Sequence, residues 1–141
     1  MTPLAEKLHA IRKPLTGVCI LMWIAAFTVT HIPEETASQI PGTDPSLHFT
    51  GYVGVTGILW ITVLAYRVRR MWRIIGVFLG TTVYSIFDEM TQPLFGRSCM
   101  MNDWVANFQA IIAFIVLAEM ITLLVSRMKT PGPEDDSRRS E

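Results

Sequence analysis

Apolar residues gather along this chain into four blocks, Leu15 to His31, His48 to Tyr66, Met71 to Phe87 and Trp104 to Ser126, separated by short stretches rich in charge, proline and glycine. Each block is close to the ~20 residues with which an α-helix crosses a hydrocarbon core of about 30 Å. The pattern therefore predicts an all-α protein, a four-transmembrane-helix bundle. Ahead of the first block, Leu4, Leu8 and Ile11 recur at helical spacing against Glu6, Lys7 and Arg12. That spacing predicts a short amphipathic N-terminal helix over residues 1–14, lying on the inner membrane surface until Pro14 breaks it. The four-helix domain then occupies residues 15–128. Residues 129–141, with Thr130-Pro131-Gly132-Pro133 followed by mixed charges, read as a disordered cytoplasmic tail.

Composition supports the same picture. Half of the 141 residues are apolar and the formal charge is zero, with a mean hydropathy of +0.37. This describes one small multi-pass domain whose partner is the lipid bilayer, with no nucleic-acid partner. Of the twelve Lys and Arg residues, eleven lie before the first block, around the connection between the second and third blocks, or after the fourth block, and only Arg97 lies on the other side. The asymmetry places both termini in the cytoplasm. The two opposite connections carry Glu34, Glu35, Asp44, Asp88, Glu89 and Asp103, so the outer face is acidic. Basic residues before an apolar run also suit a secretory signal, but no small-residue cleavage site follows Thr28-Val29-Thr30, and the first block reads as an uncleaved anchor. Cys19, well inside the first block, and Cys99, in the outer connection, lie too far apart to bridge.

Polar residues concentrate at one depth. On the second helix Tyr52 lies one turn below His48, so both can face the same neighbour. Asp88 and Gln92 are one turn apart on the third helix, and Glu89 precedes Gln92 by three residues, before Pro93 disrupts the helix. The fourth helix begins near Asp103, with Asn107 one turn deeper. Arg97 lies in the loop between them, and its planar fork suits Asp88, Glu89 or Asp103, or a ligand phosphate. Ionisable groups at the edge of hydrocarbon turn inward toward one another. The cluster His48, Tyr52, Asp88, Glu89, Gln92, Arg97, Asp103 and Asn107 is therefore the candidate ligand site; the alternative is a polar cap that fixes the loop. His31 reads as an interfacial residue.

Helical rise puts Arg73 roughly 22 Å below Asp88 and Glu119 roughly 24 Å below Asp103, so these two are expected to pair near the inner side as a structural ion pair. Gly51, Gly54 and Gly57, and likewise Gly76 and Gly80, are expected to permit close helix contact.

The run Asp88-Glu89-x-x-Gln92, then Gly96-Arg97-Ser98, then Asp103-x-x-x-Asn107, preceded by His48-Phe49-x-x-Tyr52, resembles the VanZ-like family of small bacterial membrane proteins. The likeness runs from about Ile32 to Ala113. The chain departs from the family pattern at Pro45, where a lysine follows the aspartate, and at Ala110, where a glycine is usual. The resemblance implies a four-helix protein of the bacterial cytoplasmic membrane. The family's named member lowers susceptibility to teicoplanin, a lipid-tailed glycopeptide antibiotic.

The first functional reading is a non-catalytic membrane protein that engages an envelope lipid or glycopeptide at the outer leaflet. Arg97 would hold an anionic group, Gln92 and Asn107 would supply neutral hydrogen bonds, and His48, Asp88 and Glu89 would shape the pocket. The alternative is a membrane-embedded enzyme in which His48 with Asp88, Glu89 or Asp103 acts as acid and base on a lipid-linked substrate, or binds a divalent metal. No metal-spacing motif and no cofactor signature is present, so neither a metal centre nor a cofactor is expected. A transporter ranks last, because the helix middles are apolar apart from Glu119 and scattered threonines. Whether several copies associate is left open.

Overall fold

A computed structural model describes residues 3–37 and 44–128. These form α1 (Pro3–Ala10), α2 (Arg12–Thr30), the single turn α3 (Glu34–Ala37), α4 (Asp44–Ala65), α5 (Arg70–Thr91), a 3-10 turn (Gln92–Phe95) and α6 (Met101–Met128). The protein is all-helical, with no strand among the described residues. The expected disorder of 129–141 falls outside those residues.

Three helices are long and apolar enough to cross a membrane, over Arg12–Thr30, Pro45–Ala65 and Met101–Val125. Helix α5, the expected third crossing, is as long as α4 but carries Arg70, Arg73, Asp88 and Glu89, which lower its apolarity. Its polarity is not scattered. Arg73, Val77, Thr81, Ser85, Asp88 and Glu89 are buried in one stripe at spacings of three to four residues, while Leu79, Val83, Phe87 and Met90 are exposed on the opposite side. The helix is thus the reverse of a soluble amphipathic helix, with its polar stripe inward.

The core lies mainly between α4, α5 and α6, where Tyr52, Trp60, Val77, Ala110, Ile111 and Ile115 pack together. Helix α2 leans on α4 and buries only Cys19 in its own length. Aromatic contacts tie it to α5: Trp23 meets Tyr84 at a centroid distance of 4.5 Å and Phe27 meets Phe87 at 5.9 Å.

The N-terminal helix ends earlier than expected. The break falls at Ile11 and not at Pro14. Pro14 sits in the first turn of α2, where backbone N–H groups have no intrahelical acceptor and a missing one costs nothing. Helix α1 packs against α2 and the end of α4, with a His9 ring nitrogen 3.0 Å from the Ala65 carbonyl.

Two tight connections set the ends of the site-bearing helices. Between α4 and α5 the chain turns through Arg67, the one non-glycine residue with a left-handed backbone (φ 59°) among the described residues. After α5, Pro93 sits at the start of a 3-10 turn that begins at Gln92 instead of ending helical structure outright, and Gly96 closes it at φ 76°. A residue without Cβ adopts that conformation freely.

Candidate functional site: a buried polar cluster and its cavity

Asp88 and Glu89 are consecutive on α5, so their side chains leave the helix about 100° apart and reach different neighbours. Both are fully buried.

Asp88 turns toward α2 and α4. Thr30 Oγ1 donates to its Oδ1 at 2.7 Å and Tyr52 donates its phenolic O–H to Oδ2 at 3.2 Å. His31 Nδ1 lies 3.7 Å from Oδ1. Because a carbonyl can only accept, the 2.7 Å contact between His31 Nδ1 and the Phe27 carbonyl places a proton on Nδ1. Nε2 meets Thr91 Oγ1 at 2.9 Å. The ring stacks on Phe27 and meets the edge of Phe95. His31 is therefore a buried member of the cluster: the bend after Thr30 folds the ring inward against α5.

Glu89 turns toward α4 and α6. Asn107 Nδ2 donates to Glu89 Oε1 at 3.0 Å and to Ser85 Oγ at 3.1 Å, while Asn107 Oδ1 accepts from His48 Nδ1 at 3.1 Å. His48 Nδ1 is itself 3.3 Å from Glu89 Oε1. Asp103 lies one turn before Asn107 on α6 and is buried. One donor atom each from His48, Glu89 and Asp103 lies within 4.8 Å of the others. Gln92 is buried with no partner for either end of its amide, and Glu89 Oε2 is likewise unpartnered. His48 and Tyr52, expected to share one neighbour, instead take one carboxylate each: Glu89 for His48 and Asp88 for Tyr52.

A cavity of about 390 Å³ opens between α2 and α4 beside this cluster. Its walls are apolar: Met22, Ala25, Ala26 and Val29 from α2, and Leu47, Gly51, Gly54 and Val55 from α4. Thr30, His48, Tyr52, Asp88 and Arg97 line its polar part. The expectation that all three α4 glycines serve close packing holds for Gly57, whose added Cβ would meet the Phe114 ring at 3.1 Å. At Gly51 it would meet nothing within 4 Å. Gly51 and Gly54 line the cavity, so their missing side chains leave room there.

At the other end of the bundle, Arg73 Nη2 donates to Glu119 Oε1 at 3.3 Å, and Arg70 Nε donates to Oε2 at 2.6 Å. The Arg73 guanidinium also stands 4.7 Å above the Trp60 ring. Cys19 and Cys99 are both free.

Thr30, His31 and Ser85 were not among the expected site residues. Threonine and serine in apolar helices are common and carry no spacing signal. A histidine just before Ile32-Pro33 reads as a helix end. The available clue was depth: Thr30 and His31 end the first block at the level where Asp88 ends the third.

Comparison with known proteins finds no matching family model, no matching curated protein and no matching solved structure.

Proposed function

We propose that this chain is an integral membrane protein that binds an amphiphilic component of the bacterial envelope at its outer face. In this reading α5 is a fourth crossing, both termini are cytoplasmic, and the polar cluster lies at the outer leaflet. The inward polar stripe and apolar outer surface of α5 support the crossing, because lipid favours that arrangement and water opposes it.

The observation that carries the functional reading is the cavity, in which aliphatic walls from α2 and α4 meet a polar end that includes Arg97. An acyl chain fits the walls, and an anionic head group fits a guanidinium at the head-group level. Asp88, held by Thr30 and Tyr52, fixes the side chains at that end. The VanZ-like pattern of His48, Asp88, Glu89, Gln92, Arg97, Asp103 and Asn107 adds a named ligand class, lipid-tailed glycopeptides such as teicoplanin.

Two measurements on one set of variants test this. A photoactivatable anionic lipid is expected to cross-link wild-type protein within Met22–Val29 or Gly51–Val55, and Arg97→Gln to weaken labelling roughly tenfold, the scale of one charge-assisted contact. In a sensitive host with matched membrane levels, wild type is expected to raise the teicoplanin concentration needed for inhibition, and Arg97→Gln and Asp88→Asn to abolish the effect. Equal labelling of wild type and Arg97→Gln contradicts the site. Labelling without protection removes the antibiotic and leaves a native envelope lipid as the ligand.

A further inference from the structure

Three carboxyl groups, Asp88, Glu89 and Asp103, are buried at one end of a small helical bundle, each at most 1% exposed. Arg97 adds one positive charge that acts on Glu89. Carboxylates held this close and this dry repel strongly unless protons or cations offset them. The surroundings differ between the acids. Asp88 receives two hydroxyl donors. Glu89 receives one amide donor on Oε1, and its Oε2 has no partner despite complete burial.

Glu89 also belongs to a group with mixed donor chemistry. One ring nitrogen of His48 and one oxygen each of Glu89 and Asp103 lie within 4.8 Å of one another. Donor atoms that share an ion at about 2.1 Å in tetrahedral or trigonal geometry lie about 3.5 Å apart, so closing on a cation draws the three together by up to about 1 Å. The three come from α4, α5 and α6, which form the packed core. Asn107 holds two of them at once, donating to Glu89 and accepting from His48. A residue that orients two ligands through hydrogen bonds is the usual support of a metal site. Gln92, one turn beyond Glu89, adds a second buried side chain whose polar atoms are unsatisfied.

We propose that His48, Glu89 and Asp103 bind one divalent first-row transition-metal ion, of the Mn²⁺ or Zn²⁺ kind. Imidazole with two carboxylates suits these ions, and neither cysteine belongs to the group. The ion would neutralise the carboxylates that it binds. Because His48 also lines the cavity, the ion stands beside it. The proposal does not rest on the lipid or antibiotic reading.

The test uses full-length protein in detergent, stripped with a chelator and titrated with Mn²⁺ and, separately, Zn²⁺. The expected result is one ion per chain, with modulation from an imidazole ¹⁴N nucleus in the pulsed paramagnetic-resonance spectrum of the Mn²⁺ form. Glu89→Gln and Asp103→Asn are expected to weaken binding at least about 100-fold. Glu35→Gln, an exposed acid at the same end of the bundle, is expected to leave it unchanged. No binding of either ion by wild type overturns the proposal. So does Mn²⁺ bound without the nitrogen signal, which marks adventitious binding, or unchanged affinity in both folded variants. If the variants fail to fold, the wild-type stoichiometry and nitrogen signal decide.

Discussion

Asn107 shows at the scale of one residue how the cluster is held. Its amide donates twice, to Glu89 and Ser85, and accepts once, from His48, and so joins α4, α5 and α6. Hydrogen bonds within membrane proteins contribute about 0.6 kcal/mol each, so Asn107→Ala is expected to destabilise the fold by about 2 kcal/mol. Unfolding in mixed detergent micelles measures it. Gln109→Ala, at an exposed position on the same helix, is the control, and equal losses for the two would remove Asn107 from its structural role. Much of this cluster was legible in the chain because acids and amides are rare in apolar helices, and their one-turn spacing predicts a shared face. How the cluster divides was not legible. That Asp88 goes to Thr30 and Tyr52 while Glu89 goes to Asn107 and His48 depends on the rotation of α5 about its axis, which spacing leaves free. The sequence offered His48 with Asp88, Glu89 or Asp103 only as an alternative metal set, because the members come from three helices, whereas ligand-spacing rules read one.

Among the elements, α5 departs furthest from a simple hydrophobic block. Its N-terminal end is anchored by Glu119 of α6, which accepts from both Arg73 and Arg70. The two arginines are not equivalent. The side chain of Arg73 is 8% exposed and that of Arg70 is 52% exposed. Removing the acid strands a buried guanidinium, whereas removing the exposed partner leaves water in its place. Glu119→Gln is therefore expected to lower stability by about 3 kcal/mol, and Arg70→Ala by less than about 1 kcal/mol. Equal losses in the same micelle assay would show that both arginines hold the acid alike. Helical rise alone brought Arg73 and Glu119 to one level, since both distances were counted from acids at the opposite end. Arg70 escaped that count because it lies at the start of the helix, in a turn whose geometry the pattern does not specify. The same blindness to local geometry moved the first helix break from Ile11 to Pro14: proline reads as a breaker unless the helix start is already known.

For the molecule as a whole, the exterior of every long helix carries exposed Leu, Ile, Val, Phe or Met, as a bundle solvated by lipid requires. The proposed orientation has a built-in reporter. Cys99 is exposed in the connection before α6, and Cys19 is buried. With Cys19 replaced by serine, a membrane-impermeant maleimide is expected to label Cys99 in intact cells; labelling only after permeabilisation would reverse the topology.

Arg67 gives that orientation an energetic side. A left-handed backbone at a residue with a side chain costs about 1 kcal/mol or more relative to glycine, yet the α4–α5 turn places arginine there. Glycine would relax the turn, but it would also remove a cation from the cluster that tells the insertion machinery which side is inside. Under the proposed orientation the turn trades conformational ease for an address label: a small loss in the finished fold would maintain a signal read while the chain is still entering the membrane.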